Sequence, residues 1–200
     1  MRGILFFGTL MVFAAVLVHA DETITYSVYQ TRKGDTLKSL AGRRDFYGDS
    51  LKWPLLYILN RDELNAKSLE AEKLPDVPLS VGMMLAYVKV QEAEKKKDIL
   101  LREGKNWWVV NVISSTNMRE IQPLAIKLMN NGHFVYIVEW LYKKKSWKRL
   151  RLGFFKDQEE ATQKGNEVLK ILGLKSFWTV EAPGKEINEY LGFAGCFASP

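Results

Sequence analysis

Apolar and polar residues alternate from Thr23 to Tyr29, and the run is rich in β-branched and aromatic side chains, which predicts a strand. Gly34 marks a turn, and Asp35 and Thr36 offer side-chain oxygens to cap a helix starting at Leu37. Leu37, Leu40 and Ala41 form a short apolar stripe, which the stretch Asp45–Ser50 with its Gly48 breaks. A second stripe follows at Trp53, Leu56, Tyr57 and Leu59, with Pro54 in the first turn, where its missing donor costs nothing, and Asn60 at the expected end. Past a charged stretch and a turn around Pro75–Gly82, Met83–Val90 predicts a second strand. The order is strand, helix, helix, strand.

A repeat organises the second half. Trp108–Ile113 predicts a strand and Met118–Asn131 a helix closed by Gly132; Arg149–Phe155 and Asp157–Leu172, closed by Gly173, repeat the plan. Each unit is followed by a further β-rich run, Phe134–Leu141 and Ser176–Val180. The result is βαββαβ, the ferredoxin-like plan of one sheet with both helices on one face. The chain is therefore α+β, a small βααβ module followed by a ferredoxin-like one. Alternation sorts the strand residues into faces. Leu150 and Leu152 separate from Arg149, Arg151 and Gly153; Val110 and Val112 from Asn111 and Ile113; Phe177 and Thr179 from Ser176, Trp178 and Val180. The face without helices is expected to be open and to show Asn111, Arg149, Arg151 and Trp178. Amide and guanidinium groups hydrogen-bond hydroxyls and acetamido groups, and an indole packs on the apolar side of a pyranose, so this face suits a polysaccharide.

Composition narrows the chemistry. Cys196 is the sole cysteine, so no intrachain disulfide forms, and it reads as a small apolar residue. The two histidines are His19, in the leader, and His133, expected in a surface or capping role. That scarcity argues against His/Cys zinc sites and Cys-His or Ser-His catalytic pairs. Neither a cofactor nor a metal is expected. The formal net charge is +6, and the excess lies in Asn106–Ala182, where twelve basic residues meet seven acidic ones. Residues 1–20 read as an export signal: Arg2, the apolar run Ile4–Val18, and the exit Val18-His19-Ala20. An uncleaved anchor is the alternative. Residues 91–105 are a charged stretch read as a solvated spacer, and 183–200 a tail without a period.

Lys33-Gly34-Asp35-Thr36-Leu37, with Leu40-Ala41, Tyr47-Gly48-Asp49, Trp53, Leu56-Tyr57, Asn60 and Gly82-Met83-Met84-Leu85, makes residues 21–90 resemble the LysM family. That resemblance implies a glycan groove for N-acetylglucosamine-containing strands between two loops, here Gly34, Asp35, Thr36 and Leu37 on one side and Leu79, Ser80, Val81 and Gly82 on the other. The long charged connection between Asn60 and Pro78 departs from the family pattern. Residues 106–182 resemble the SPOR family, through Val110-Asn111-Val112-Ile113-Ser114 and, more specifically, Arg149-Leu150-Arg151-Leu152-Gly153-Phe154-Phe155. Here the resemblance implies binding of peptidoglycan, above all glycan stripped of stem peptides at division sites, with Asn111, Ser114, Arg149, Arg151 and Trp178 as candidate contacts. Ile113 stands in place of a glycine and Ser115 in place of an aromatic.

Together these features lead to a non-catalytic, exported cell-envelope protein that holds peptidoglycan through two modules, with no membrane span after signal cleavage and no nucleic-acid partner. Two other readings stay open: an adaptor that binds envelope or division proteins through the sheet face, and an accessory to a wall hydrolase. An enzyme using Asp45 and Asp49 as paired carboxylates and an RNA-binding βαββαβ module are the weaker alternatives.

Overall fold

The computed structural model describes residues 24–66, 73–104 and 106–197; the expected leader lies outside them. Among the described residues no helix is long and apolar enough to cross a membrane. The first unit is β1 (Tyr26–Gln30), α1 (Leu37–Gly42), α2 (Trp53–Ala66) and β2 (Met84–Val88), with β1 antiparallel to β2. Thr36 caps α1: its Oγ1 accepts from the Ser39 N–H at 3.0 Å, and the Ser39 Oγ accepts from the Thr36 N–H at 2.9 Å. Asp49 caps the 3-10 turn that leads into α2, accepting from the Leu51 N–H at 2.8 Å. Trp53, Leu56 and Tyr57 are wholly buried against Leu37, Leu40 and Leu85.

Asn60 does not end α2, which runs on to Ala66. Its buried amide clips the helix to β2 instead, donating to Leu56 O at 2.7 Å and Ala86 O at 2.8 Å and accepting from the Ala86 N–H at 2.8 Å. Three hydrogen bonds in the core outweigh the weak helix preference of asparagine. The expected strand Met83–Val90 is also shorter, because a helix, α3 (Val90–Arg102), starts at its end.

The second unit runs β3 (Trp108–Ser115), α4 (Met118–Asn130), β4 (Val135–Tyr142), β5 (Lys145–Phe155), α5 (Gln158–Leu172) and β6 (Trp178–Glu181). Its antiparallel sheet has the order β4-β5-β3-β6, the ferredoxin-like arrangement expected. One face buries Val110, Val112, Ile137, Leu150 and Leu152 against Ile121, Ala125, Ala161 and Val168 of α4 and α5. A bulge in β3 shifts the register after Asn111, so that Ile113 lies opposite Leu150 on the helix side. The expectation that Ile113 shares a face with Asn111 is corrected accordingly, and Ser114 comes opposite Arg149.

Neither the charged stretch nor the tail stands apart. The tail forms α6 (Gly184–Glu186), a π turn (Ile187–Leu191) and α7 (Gly192–Phe197), and α7 lies along α3 so closely that a Cβ at Gly192 would run into the α3 backbone, while Gly195 sits against the Leu100 and Lys96 side chains. Phe193 meets Tyr47 edge to face at 5.3 Å, and Cys196 is buried. The two units also touch directly: the Tyr57 hydroxyl bonds Asn130 Oδ1 at 2.8 Å, Arg61 donates to Met129 O at 3.2 Å, and Gln122 donates to Asp76 at 2.9 Å. One apolar core runs through both. The units are thus fixed against each other rather than joined by a free spacer.

Candidate functional site

The helix-free face of the sheet carries the residues expected there, but the chain's own tail covers part of it. Tyr190 stacks on Tyr136 of β4 with ring centroids 4.4 Å apart and donates to Ile137 O at 3.2 Å. Glu186 accepts from the Tyr136 hydroxyl at 2.6 Å and from Arg151 at 3.1 Å. Burial, with Glu186 beside it, pushes the Tyr136 hydroxyl far above the usual tyrosine range, so it stays a donor. A second apolar cluster of Trp107, Val109, Tyr136, Ala182, Tyr190 and Leu191 seals this half of the face. The fully open face expected from the sequence is therefore corrected: Arg151 and Asn111 are buried, at 2% and 0% exposure.

The uncovered half forms a cleft of about 320 Å3 lined by Ser114 of β3, Trp140 and Tyr142 of β4, Trp147 and Arg149 of β5, and Trp178 of β6. It crosses all four strands, about 14 Å from the spacing of neighbouring strands. Trp140 lies opposite Trp147 in the β4–β5 hairpin, whose two-residue turn, Lys143-Lys144, has positive φ at both positions. Trp140, Tyr142 and Trp178 remain about half exposed. The Arg149 guanidinium stacks over the Trp140 ring, 4.3 Å from its centroid. Burial and then the neighbouring Arg151 work against the Arg149 charge, partly offset by Glu186. The Asn111 amide donates to Ser114 Oγ at 3.3 Å, so Asn111 positions that hydroxyl from below, and Ser114 keeps its own proton to donate. Beyond Arg149 lies a second cavity of about 470 Å3, walled by Asp49 and Leu51, by β4, and by Lys185, Glu186, Glu189 and Tyr190 of the tail.

Of the five contacts expected on this sheet, Ser114, Arg149 and Trp178 meet in the cleft, whereas Asn111 acts through Ser114 and Arg151 is held by Glu186. Trp140, Tyr142 and Trp147 were missed. Alternation carried from Tyr136 through the Lys143-Lys144 turn places all three with Arg149, a signal available had β5 been started before Arg149.

In the first unit the two expected loops do lie side by side. The Leu79 N–H donates to Asp35 O at 2.7 Å and the Gly82 N–H to Thr31 O at 2.9 Å. Gly34, Ser80, Val81 and Gly82 are exposed, whereas Leu37 and Leu79 belong to the core. The Asp35 carboxylate is taken by the Arg32 N–H at 2.7 Å and the Tyr29 hydroxyl at 2.9 Å, and Thr36 by the cap of α1. Four of these eight residues thus keep surface free for a ligand.

Asp45 is paired with Arg43 and Asp49 caps its turn, so the two carboxylates have separate structural partners. His133 is half-buried, and burial holds its pKa below the usual histidine value against the opposing pull of Glu167 at 3.7 Å.

No curated protein and no solved structure matches this chain. Residues 103–177 match the family model described as SPOR domain, a match that begins just past α3, runs through α5 and stops just before β6. Residues 103–177 are thus similar to SPOR domains, and SPOR domains bind peptidoglycan.

Proposed function

We propose that this chain is a non-catalytic protein of the cell envelope that holds glycan strands of peptidoglycan in the cleft of Trp140, Trp147, Trp178, Arg149 and Ser114. The observation that carries this is the aromatic cleft on the helix-free face of a SPOR-like domain, with the apolar walls and few polar groups that sugar rings require. The tail confines glycan to this half of the sheet by burying Arg151. The LysM-like loops, Gly34 and Ser80–Gly82, supply a second contact for N-acetylglucosamine units. Because the core holds both units rigidly, avidity depends on whether one strand or two neighbouring strands match their fixed separation. Export through the leader brings the protein to its ligand, and glycan laid bare at division or remodelling sites is the target.

An adaptor role is the second reading, favoured by exposed apolar residues on the β1–β2 ribbon, Val28 at 57% and Met84 at 54% exposure. Co-sedimentation of the full chain with insoluble peptidoglycan separates the two. Pelleting that falls about tenfold in affinity with Trp147→Ala or Trp178→Ala, on the order of 1.4 kcal/mol, supports the cleft. Pelleting unchanged by both substitutions removes it, and no pelleting leaves the adaptor reading in front.

A further inference from the structure

The cavity of about 470 Å3 lies where the first unit, the sheet and the tail meet, outside the aromatic cleft. Its size is that of a small-molecule site, about 300–1,000 Å3. Leu51, Val138, Trp140, Pro183 and Tyr190 give it apolar walls. The charged groups around it are of both signs, and pairing among them is incomplete. Glu139 is held by Lys148 at 2.8 Å, and Glu186 accepts from Arg151 at 3.1 Å and from the Tyr136 hydroxyl at 2.6 Å. Arg149 forms no ion pair among the described residues: its Nε is buried without a hydrogen bond, and its guanidinium lies over the Trp140 ring. Asp49 accepts only from the Leu51 N–H, at 2.8 Å, and Glu189 comes no nearer a cation than Lys185 at 3.9 Å.

The unpaired charges belong to different walls. Arg149 stands on β5 beside Arg151, whose Nε and Nη1 are also buried without an acceptor, so the sheet side is short of negative charge. Asp49 comes from the turn before α2 and Glu189 from the tail. Both lie close enough to Tyr190 to add to the burial that lifts its hydroxyl well above the usual tyrosine range. Lys52 lies over the same ring at 5.2 Å, but it faces a separate groove against α3 and does not line this cavity. A simple anion would satisfy Arg149 and be repelled by Asp49 and Glu189; a simple cation would meet the reverse. A neutral ligand would leave both ends unpaired. A molecule with one charge of each sign and an apolar body answers all three features.

We infer that this junction cavity binds a zwitterion of the amino-acid class, a free amino acid or a short peptide, with its carboxylate on Arg149, its ammonium toward Asp49 and Glu189, and an apolar side chain against Leu51 and Trp140. Each end then gains a charge-assisted contact that the protein does not supply to itself. The site is built by all three parts of the chain, because β5 brings the guanidinium, the first unit one carboxylate and the tail the other. It exists only because the tail and the first unit are fixed on the sheet. The ligand is distinct from the glycan of the aromatic cleft, and the inference does not depend on glycan binding.

The test is calorimetric titration of the full chain with leucine and with leucyl-leucine, each also as its N-acetyl and its C-amide form. At least one of the two unblocked molecules is expected to bind, and which of them does so fixes the length of the ligand. Blocking either end is expected to weaken binding about tenfold or more. Arg149→Gln should bring the unblocked molecule down to the affinity of its C-amide. The double variant Asp49→Asn, Glu189→Gln should bring it down to that of the N-acetyl form; asparagine keeps an oxygen for the Leu51 N–H, so the turn before α2 retains its cap. Trp178→Ala, which touches only the aromatic cleft, should leave the affinity unchanged. Binding of neither unblocked molecule overturns the inference, as does a blocked form that binds equally well. Loss of binding in Trp178→Ala also overturns it, by moving the site to the cleft. None of these results bears on glycan binding, which sedimentation with peptidoglycan reads separately.

Discussion

Replacing Gly192 by alanine tests whether the tail is locked onto the body of the protein. The residue is helical, with φ −63° and ψ −41°, so alanine meets no backbone strain and gains about 1 kcal/mol in helix preference over glycine. Space is the obstacle. A Cβ at this position would sit 1.8 Å from Ala93 O and 2.6 Å from Ala93 C, both backbone atoms of α3. Neither can rotate away, so α7 must retreat from α3 by about 1 Å or more, taking Phe193 off Tyr47 and lifting Cys196 from the core. Overpacking of this kind costs about 1–3 kcal/mol, and contact with backbone places it at the upper end. Net of the propensity gain, about 2 kcal/mol is expected, a fall of about 4–8 °C in Tm for a chain of this size. Gly195→Ala is the control. Its Cβ would meet Leu100 Cδ1 at 2.7 Å and Lys96 Cγ at 2.9 Å, side-chain atoms that can swing aside, so its net effect stays within about 0.5 kcal/mol. Urea and thermal unfolding give the energies, and limited proteolysis reports whether cleavage moves to the tail. If Gly192→Ala is as stable as the parent, or no worse than Gly195→Ala, the close helix contact is not what holds the tail.

Three further outcomes are expected. Asn60→Ala strips both partners from Ala86 N and O and should cost about 2 kcal/mol, read by urea unfolding; a loss below about 0.5 kcal/mol would remove the clip. Glu186→Ala leaves Arg151 buried without its carboxylate and should cost about 3 kcal/mol or more, unless the tail opens to hydrate it, which faster amide exchange at Tyr190 and Leu191 would reveal. His133 titrates below its ordinary value of 6.5 when folded, because burial favours the neutral ring. Its contribution is therefore complete above about pH 6.5 and is lost as pH falls through the lower folded value. Unfolding midpoints from about pH 5 to about pH 8 should show an acid-side loss that His133→Gln reduces; identical profiles would deny it.

Much of the architecture is visible in periodicity. The alternation Arg149-Leu150-Arg151-Leu152 assigns β5 its two faces, and the pattern closed by Gly173 defines α5, because a half-buried sheet and an amphipathic helix each impose a strict spacing. What periodicity leaves out is set by partners distant in sequence. Asn60 looks like a helix end until Ala86 is beside it. Ile113 changes face because of a bulge with no local signature. The tail carries no period because its helix is interrupted by a π turn and held by glycine contacts and single aromatic rings rather than by a stripe. That docking is why the site is only half legible: Trp178 and Arg149 hold their expected face and the β3 bulge brings Ser114 to it, while Arg151 and Asn111 are covered by residues that alternation alone does not bring there.

The most direct measurement is a crystal structure of the full chain with a bound N-acetylglucosamine–muramic acid tetrasaccharide. The account predicts sugar rings against Trp140, Trp147 and Trp178, beside Arg149 and Ser114, and the tail still seated with Glu186 on Arg151. Sugar lying over Arg151 and Asn111 with the tail displaced, or the aromatic cleft empty while saccharide binds elsewhere, would contradict it.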